Sequence, residues 1–362
     1  MKIMFICSHM KSGGAERTIA YLSNWLSKNN DVTICSYEND IFYHIENSVM
    51  IKTSSFVSST NTCILNRLIN YIRIKAFVSK TISGFKPDVV ISLLTSNVRH
   101  LPRRRNFALI TSERSNPNYC FNKKEIFRKR HAFEISDGIV FQTKRVQDVY
   151  SSFYNKSIVI ENAIGNEYVY KYKASENKEP VIAAIGRLHP AKDYVTLIKA
   201  FEIVHQSFPN YCLVIYGDGQ EKEKLVTLLT ELDLKSFVKF YLPCTDAIYK
   251  IKDATCYCLS SKYEGMPNAL MEAMAMGIPC VSTDCQYGPA ELITNNYNGL
   301  LVPVGDYRQM ATAIIDLIKN HALASKISTN GKKILETHSV ERIAQIYYEY
   351  MRSVFEKWRD NL

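Results

Sequence analysis

The stretch Val181–Phe208 reads VIAAIGRLHPAKDYVTLIKAFEIVHQSF and combines a strand, a turn and a helix. The apolar run Val181–Ile185 predicts a buried strand, GRLHPAKD predicts a turn, and Tyr194–Phe208 predicts a helix. The same order recurs with a strand at Cys212–Tyr216 and a helix at Glu221–Leu232. Strands that alternate with helices are typical of a doubly wound parallel sheet, so we predict an α/β fold.

The rest of the chain continues this alternation in two halves. Residues 168–180 (YVYKYKASENKEP) are polar and aperiodic, and they predict a linker between the halves. A chain of 362 residues is long enough for two domains, so we predict two such sheets in tandem. The further predicted strands are Ile3–Cys7, Val32–Ser36, Val89–Leu94, Phe107–Ser112, Gly138–Phe141, Ile158–Ile160, Val238–Tyr241, Thr255–Leu259 and Cys280–Thr283, and the further helices are Ala15–Lys28, Ile64–Ile82, Lys144–Tyr154, a helix after Pro267, Asp306–Asn320 and Val340–Trp358.

The overall composition is typical of a folded protein of a reducing compartment. Hydrophobic residues make up 46% of the chain and charged residues 22%. No apolar run has the ~18 residues that a membrane-spanning helix needs, and the N-terminal MKIMFIC predicts a first strand rather than a signal peptide. The ten cysteines include no CxxC pair, so we expect buried, reduced thiols rather than disulfides or a zinc site.

Positive charge is concentrated in the first half of the chain. Residues 1–165 contain 23 Lys and Arg against 12 Asp and Glu, whereas residues 166–362 contain 22 and 23. Two clusters, Arg99–Arg105 (RHLPRRR) and Lys123–His131 (KKEIFRKRH), dominate this charge. The partner could be nucleic acid, an anionic membrane surface or a phosphorylated substrate, or the basic face could simply be solvated. Because no zinc spacing or aromatic RNA-binding motif is present, we do not expect nucleic acid as a partner.

The predicted helix Ile64–Ile82 mixes Ile, Leu and Phe with Arg and Lys. Such a helix can lie on an anionic membrane, or it can pack into the core and expose a basic outer face. A basic, membrane-facing domain would suit a substrate that carries a lipid diphosphate. We therefore expect an anionic membrane surface among the partners.

The turn GRLHPAKD predicts an anion site. Arg187 and Lys192 follow a strand and precede a helix, where free backbone N–H groups also favour anions. A diphosphate fits, because Arg can donate two hydrogen bonds to phosphate while Lys supplies a point charge. Two exposed surface cations are the alternative. The Gly217–Gly219 turn (GDG) either lets the backbone approach a ligand or is only a tight turn, and it lacks the GxGxxG dinucleotide fingerprint.

The stretch Tyr263–Pro279 (YEGMPNALMEAMAMGIP) places two carboxylates around one helix start. Glu264 lies in the predicted loop, and Glu272 lies in the first turns of a helix that begins near Asn268. A carboxylate accepts hydrogen bonds at both oxygens, so each Glu suits a diol of a sugar or a ribose. Two acids that favour the helix dipole are an alternative, but the apolar neighbours of Glu272 predict burial, which is costly without a partner. A glycosidase pair of carboxylates is a second alternative, and it leaves the cations of the preceding turn unexplained.

Six segments carry a resemblance to a known family. They are SGGAER, ENA at Glu161–Ala163, GRLHPAKD, GDGQ, EGMPNALMEAMAMGIPCVSTD and GPAELI, in that order. Together they resemble the retaining glycosyltransferases of glycosyltransferase family 4 (glycosyl transferases group 1), which have the GT-B fold. The resemblance implies two Rossmann-like, doubly wound domains that face a central cleft. It assigns residues 1–165 to the acceptor, with the C-terminal helix of about 340–362 packed back on them, and residues 166–339 to the nucleotide-sugar donor.

The resemblance also implies roles for individual residues. Glu272 would hold the ribose hydroxyls, and Glu264 would contact the hydroxyls of the donor sugar. Arg187 and Lys192 would neutralise the diphosphate, so we expect Arg187, Lys192 and Glu264 to be catalytic. The other donor-binding residues are expected to be Gly13, Gly14, Gly217, Gly265, Met266, Pro267 and Asn268.

One position departs from the family pattern. In the segment TSERSNP, Arg114 occupies the place where many relatives have a His at the donor sugar. A guanidinium is permanently charged and cannot relay a proton, so a His-based role does not carry over. We expect Arg114 to bind sugar or phosphate oxygens, with Glu113 orienting it and Asn162 on the same acceptor or sugar side.

The resemblance implies transfer of a hexose or N-acetylhexosamine from a nucleotide sugar, expected to be UDP-linked, with retention at the anomeric carbon. The acceptor is expected to be a glycan or a polyprenyl-diphosphate-linked glycan of cell-surface polysaccharide, such as lipopolysaccharide or capsule. This chemistry would place the enzyme in the cytoplasm, peripherally on the inner face of the cytoplasmic membrane. No Asp-x-Asp occurs in the chain, so we expect no metal and no cofactor. A non-catalytic nucleotide-sugar-binding or scaffold protein is the alternative function.

Overall fold

The computed structural model describes residues 1–11, 13–54, 64–114, 117, 123–165 and 178–361. The chain forms two compact units, the first made of Met1–Ala163 and Val340–Leu362 and the second of Ile164–Ser339. Of the predicted linker, residues 168–177 lie outside the described residues. Its last two residues belong to a strand instead, which begins at Glu179.

The first unit contains one parallel sheet. Its strands are β1 (Lys2–Cys7), β2 (Asp31–Ser36), β3 (Val49–Thr53), β4 (Val89–Ser92), β5 (Ala108–Glu113), β6 (Gly138–Phe141) and β7 (Ser157–Val159), and its helices include α1 (Gly14–Leu26), α2 (Ile64–Phe85), α3 (Lys123–Glu134) and α4 (Lys144–Val149). Among the described residues the strand order is β3-β2-β1-β4-β5-β6-β7, with every neighbouring pair parallel.

The second unit repeats this architecture. Its strands are β8 (Glu179–Ile185), β9 (Cys212–Tyr216), β10 (Val238–Tyr241), β11 (Ala254–Leu259), β12 (Cys280–Thr283) and β13 (Leu300–Val302). Its helices include α5 (Tyr194–Ser207), α6 (Lys222–Glu231), α7 (Ala247–Lys250), α8 (Asn268–Ala275), α9 (Pro289–Leu292), α10 (Tyr307–Lys319), α11 (His321–Gly331) and α12 (Ile334–Thr337). The parallel strands of the described part follow the order β10-β9-β8-β11-β12-β13.

Both faces of each sheet are buried, which explains the continuous apolar runs in the sequence. In β1, Ile3 and Phe5 belong to one buried cluster, whereas Met4 and Ile6 belong to another. Successive side chains of a strand point to opposite faces, so this partition means that helices cover the sheet on both sides. The predicted doubly wound α/β fold is confirmed.

The C-terminal helix, α13 (Val340–Asp360), packs on α1 and β5 of the first unit. Trp25 and Tyr348 make an edge-on ring contact with centroids 6.5 Å apart. The backbone N–H of Ile139 donates to the Tyr350 hydroxyl at 2.9 Å, and that hydroxyl donates to the Lys156 carbonyl at 2.7 Å. The helix is therefore tied to a strand far from it in sequence by hydrogen bonds as well as by apolar packing.

Several predicted boundaries were wrong. The helix predicted at Lys144–Tyr154 ends at Val149, and a 3-10 helix, Ser151–Lys156, follows it. Strands β3 and β13 and helices α3 and α11 were not predicted as elements. Most of these have exposed faces and mixed composition, so their apolar period is weak. Among the described helices, none is long and apolar enough to cross a lipid bilayer.

Buried His100 predicts a pH-dependent stability of the first unit. Its Nδ1 lies 3.0 Å from the Tyr37 hydroxyl, and burial, together with the charges of Arg99 and Lys75, lowers its pKa from 6.5 to about 4. The unfolded chain therefore binds a proton that the folded unit excludes, and the free energy of unfolding should fall as pH drops from 6.5 towards 4. The decrease from this group is expected to be on the order of 2 kcal/mol.

Denaturant unfolding of His100→Gln between pH 7 and pH 4 tests this expectation. The variant should show a flatter pH dependence than the parent protein, whatever its absolute stability. His44→Gln is the matched control, because the His44 side chain is largely exposed. Equal slopes for the parent and His100→Gln would contradict the assignment.

Candidate active site

The sheet of the second unit has the strand arrangement at which open α/β sheets bind ligands. Its strand order reverses between β8 and β11, which are adjacent and parallel. In open α/β sheets, ligands bind at the carboxyl ends of the strands at such a reversal. The loop after β8 contains Arg187 and Lys192, and the loop after β11 contains Glu264, so the two predicted motifs follow the two strands at this point.

Lys192 and Glu264 form the centre of the candidate site. The Lys192 Nζ lies 2.6 Å from the Glu264 Oε1, and both side chains are mostly buried, at 24% and 11% exposure. The Ser261 hydroxyl donates to the same carboxylate oxygen at 2.6 Å. The structure thus brings together a cation and a carboxylate that are 72 residues apart in sequence.

Hydrogen bonds to backbone carbonyls hold the loop after β8 against the loop after β11. The Ser260 hydroxyl donates to the Lys192 carbonyl at 2.8 Å, and the Lys262 N–H donates to the Ala191 carbonyl at 2.8 Å. Asp193 adopts a left-handed conformation (φ 46°) directly after Lys192 and turns the chain into α5. These contacts hold the ion pair in one geometry, which a preorganised charge site requires.

Arg187 has a different environment from Lys192. Its side chain is exposed, and within the described residues it has no ion pair or side-chain hydrogen bond. The next residue, Leu188, is fully buried, and its N–H donates to the Asp218 carbonyl at 2.9 Å. The backbone at Arg187 is therefore anchored while its guanidinium is available to solvent or to a ligand.

Helix α8 carries the second glutamate. It begins at Asn268, directly after Pro267, and Glu272 lies in its second turn with 7% exposure. Leu270, Met271 and their neighbours pack this helix into an apolar cluster of the unit. The expectation that Glu272 is buried is confirmed, and a buried carboxylate in apolar surroundings is stabilised only by specific partners.

A cysteine that the sequence did not single out lies beside this pair. Burial and the nearby Glu264 carboxylate raise the pKa of the Cys285 thiol to about 12, and Lys192 opposes this shift. Gly288, three residues further on, has a positive φ of 90°, and a Cβ there would lie 2.1 Å from the Gly265 carbonyl oxygen. The loop after β12 therefore packs directly against the backbone of the Glu264 loop.

Gly217 makes the closest backbone contact of the site. A Cβ at this position would lie 2.0 Å from the Gly186 carbonyl oxygen, at the start of the Lys192 loop. Gly217→Ala is expected to force the loops after β8 and β9 apart, to cost about 1–3 kcal/mol of stability and to weaken donor binding. Chemical unfolding and a donor-binding titration measure the two effects.

Gly84→Ala is the matched control for that substitution. Gly84 lies in α2, and a Cβ there would meet nothing within 4 Å. Ala is a better helix former than Gly, so this variant should be more stable than the parent by about 0.5–1 kcal/mol. If Gly217→Ala were as stable as Gly84→Ala, the packing assigned to Gly217 would be incorrect.

In the first unit, Gly13 and Gly14 lie at the start of α1. Gly13 is the residue before the helix, its N–H donates to the Tyr43 hydroxyl at 3.0 Å, and a Cβ there would lie 2.1 Å from the Glu16 carboxylate. Glu16 is buried and lies 3.4 Å from the His9 Nδ1. Sequence reasoning missed Glu16, although it lies inside the quoted SGGAER segment.

Arg114 and Asn162 are brought together in the first unit. The Arg114 Nη2 donates to the Asn162 Oδ1 and to the Thr18 hydroxyl, the latter at 2.8 Å. The Gln142 amide lies beside both side chains. These partners are neutral, so they orient the guanidinium without neutralising its charge.

The expectation that Glu113 orients Arg114 stays a prediction, and Glu113 has a charged partner of its own. The Glu113 carboxylate lies 2.6 Å from the Lys129 Nζ, in a nearly buried ion pair. Successive residues of a strand point to opposite faces, which explains why Glu113, at the end of β5, and the residue after it have different neighbours. Thr18 and Asn162 also hold the Arg114 guanidinium.

The described residues contain no group of three or more His, Cys, Asp or Glu side chains that could hold a metal ion. The two glutamates of the candidate site, Glu264 and Glu272, lie among a lysine, a serine and apolar side chains. The polar side chains of this site are therefore suited to binding hydroxyl and phosphate groups.

Comparison with known proteins places this site in a family. Residues 170–334 match the family model "Glycosyl transferases group 1". Over 359 residues the chain is 26% identical to a GalNAc-alpha-(1->4)-GalNAc-alpha-(1->3)-diNAcBac-PP-undecaprenol alpha-1,4-N-acetyl-D-galactosaminyltransferase of Campylobacter jejuni, covering 98% of this chain and 99% of that protein. It is 25% identical over 352 residues to the lipopolysaccharide core biosynthesis glycosyltransferase LpsE of Rhizobium meliloti, covering 95% and 97%.

A solved structure has the same fold along the whole chain. A mutant of Staphylococcus aureus TarM, crystallised with fondaparinux, alpha-GlcNAc-glycerol and UDP, superimposes with a TM-score of 0.79 at 14% identity, covering 97% of this chain and 99% of that one. The fold is therefore GT-B. The match to the group 1 glycosyltransferase model lies within the second unit. The predicted resemblance to GT-B glycosyltransferases of group 1 is confirmed, and so is the prediction that the chain is a glycosyltransferase. The assignment to glycosyltransferase family 4 stays a prediction.

Proposed function

We propose that this protein is a retaining glycosyltransferase that moves a hexose or an N-acetylhexosamine from a UDP-sugar to a glycan or a polyprenyl-diphosphate-linked glycan. The observation that carries the proposal is the Lys192–Glu264 pair at the strand-order reversal of the second unit, 2.6 Å apart and mostly buried. Such a pair offers a cation to a diphosphate and a carboxylate to sugar hydroxyls from adjacent atoms.

The leaving group explains the cations. As the bond between the sugar and the nucleotide breaks, the sugar gains oxocarbenium character and negative charge develops on the diphosphate. Lys192, held by the fixed loops, stabilises that charge without reorganisation, and the exposed Arg187 adds two N–H donors when the donor is bound. The N-terminal backbone N–H groups of α8, beside Gly265, Met266, Pro267 and Asn268, favour the same anion.

The two glutamates bind hydroxyl groups in this scheme. Glu264 accepts hydrogen bonds from the donor sugar, and its pairing with Lys192 couples the position of the sugar to that of the diphosphate. Glu272, in the second turn of α8, accepts hydrogen bonds from the ribose diol. Neither carboxylate acts as a nucleophile, because the leaving phosphate itself assists attack from the same face. The cations take the place of a metal ion, and no cofactor is required.

The first unit would supply the acceptor side. Arg114 is held by Thr18 and Asn162 and has no ion pair within the described residues, so its charge can meet oxygens of the sugar or of a phosphate. Gly13 and Gly14 allow the chain to approach a substrate closely at the start of α1. Because Arg does not titrate, this position orients and stabilises rather than transfers a proton.

The relatives and the charge of the chain support the proposed acceptor class and location. The Campylobacter relative is described as acting on an undecaprenol-diphosphate-linked glycan, and the Rhizobium relative as acting in lipopolysaccharide core biosynthesis. The basic residues of the first 165 positions outnumber the acidic ones by 23 to 12. We therefore place the enzyme in cell-surface polysaccharide biosynthesis, as a peripheral protein on the cytoplasmic face of an anionic membrane.

A thermal-shift panel with UDP-, GDP- and ADP-sugars tests the donor. A ligand that binds only the folded state raises the midpoint of unfolding, so UDP-sugars should stabilise the protein and the others should not. The Glu272→Gln variant is expected to lose the shift because it lacks the proposed contact to the ribose. Stabilisation by a GDP- or ADP-sugar alone would overturn the assignment of the base.

A non-catalytic nucleotide-sugar-binding protein is the second candidate function. It would show the same thermal shift but would not break the donor. Measuring UDP release from the stabilising UDP-sugar, with and without an acceptor extract, separates the two functions. Binding without any release of UDP would support the scaffold function.

A further inference from the structure

Helix α2 is apolar on two opposite faces. In its C-terminal half, Val78 is fully buried and Ile74, Phe77, Ile82 and Phe85 pack around the same cluster of the first unit. In its N-terminal half a different set is exposed, in which Leu65, Leu68, Ile69 and Ile72 have exposures of 36% to 62%. Packing within the first unit therefore accounts for one face of α2 and leaves the other in contact with solvent.

The exposed residues form a stripe. The spacing of 65, 68, 69 and 72 is i, i+3, i+4 and i+7, which places all four side chains on one side of the helix. Lys75 continues the same side one turn further on. An apolar stripe that ends in a cation is the pattern of a helix lying at a membrane surface.

Helix α3 has a second exposed apolar pair. Ile126 and Phe127 are 45% and 70% exposed, and Lys123, Lys124 and Arg128 surround them in sequence. The Phe127 ring lies parallel to that of His131, with centroids 6.4 Å apart. Large exposed aromatic side chains flanked by cations are unusual on a surface that meets only water.

The two helices share one surface. Both α2 and α3 pack against the 3-10 helix Thr95–His100, and the Tyr71 hydroxyl of α2 donates to the Arg99 carbonyl at 3.1 Å. An open cavity of about 1530 Å³ lies between them. Its lining includes Tyr71 and Lys75 from α2 and Phe127 and Arg128 from α3. Arg103, from the loop between the 3-10 helix and β5, also lines it.

The charge of this surface is not balanced internally. Arg105 pairs with Asp137 at 2.9 Å, and Lys129 pairs with Glu113 at 2.6 Å. Within the described part of the chain, by contrast, Arg103 and Arg128 have no ion pair. The surface therefore combines exposed apolar side chains with cations that are accessible to an external anion.

We propose that this two-helix face, defined by Leu65, Leu68, Ile69 and Ile72 of α2, Ile126 and Phe127 of α3, and the cations Lys75, Arg103 and Arg128, inserts into a bilayer of anionic phospholipids. The inference rests on the proposed function for its membrane partner and adds the residues that make the contact. Apolar side chains would enter the headgroup and acyl boundary, while the cations meet lipid phosphates. A folded protein partner would satisfy the apolar residues, but it would gain little from so large a surplus of one charge.

Flotation of the full-length protein with vesicles tests the proposal. The protein should bind vesicles of phosphatidylglycerol in phosphatidylcholine, should not bind pure phosphatidylcholine, and should bind less at high salt. Leu68→Ser combined with Ile72→Ser, and Phe127→Ser alone, should each reduce the partition coefficient on the order of ten-fold or more. Arg103→Glu combined with Arg128→Glu should reduce it similarly and should also weaken the salt dependence.

Matched controls come from the second unit. Leu242→Ser removes a side chain that is 68% exposed, and Lys326→Glu reverses an exposed cation, and both variants should bind vesicles like the parent protein. Thermal stabilisation by a UDP-sugar should be equal in all variants, so a loss of vesicle binding can be separated from a failure of the donor site. Unchanged vesicle binding by the α2 and α3 variants, or self-association of the parent protein abolished by them, would overturn the proposal.

Discussion

Lys192→Met is expected to reduce sugar transfer by roughly 100-fold or more while leaving the protein folded. That is the scale for removing one preorganised charge that faces a developing anion. The Lys192 Nζ is the cation placed 2.6 Å from Glu264, so the substitution removes the charge proposed to meet the diphosphate and also frees Glu264 to move. The decrease should appear in kcat as well as in kcat/KM, because the contact strengthens as the leaving group departs.

Lys262→Met is the matched control for that change. Lys262 lies in the neighbouring loop, its side chain is exposed, and it is 3.6 Å from Asp193. Its backbone contact to Ala191 remains in the variant. Exposed ion pairs contribute little, so transfer should stay within about two-fold of the parent. Similar losses in both lysine variants would point to general loop disruption and contradict a specific role for Lys192.

Glu272→Gln is expected to reduce transfer by a similar factor, roughly 100-fold, but through loss of a contact to the ribose rather than to the diphosphate. The amide keeps the volume of the carboxylate and removes a buried charge, so the fold of α8 should be preserved. What is lost is the anionic acceptor for two ribose hydroxyls. Because the ribose is remote from the reacting carbon, KM should rise together with the fall in kcat. Steady-state kinetics with the UDP-sugar chosen by the thermal-shift panel measures both.

Glu231→Gln controls for the loss of one negative charge from the second unit. Glu231 ends α6, and its side chain is exposed. Its kinetics should match those of the parent protein. Near-normal transfer by Glu272→Gln would remove the ribose contact from the account, whatever the result for Lys192.

Much of the fold could be predicted because strands buried on both faces leave a plain signal. Gly138–Phe141 and Cys280–Thr283 have the predicted bounds, since all four residues of each strand are buried. Strand β3 and helix α3 were missed. β3 alternates buried and exposed residues, and α3 is mostly exposed and basic, so tertiary packing rather than local pattern specifies them.

The candidate site could be predicted only as far as motifs allow. The residue types and the order of Arg187, Lys192, Glu264 and Glu272 pointed to a diphosphate and two diols, but the sequence contained no sign that Lys192 and Glu264 touch. Ser261 was missed, because a serine three residues before a glutamate has no distinguishing pattern. Thr18 was missed as a partner of Arg114, because it is 96 residues away in sequence and only the fold brings the two near.

The most direct test of the central claim is UDP release from the stabilising UDP-sugar, measured for the parent protein, Lys192→Met and Lys262→Met with an acceptor extract present. The parent and Lys262→Met should release UDP rapidly, and Lys192→Met should release it more slowly by roughly 100-fold or more. Equal release by all three proteins would show that the Lys192–Glu264 pair does not carry the reaction and would contradict the account.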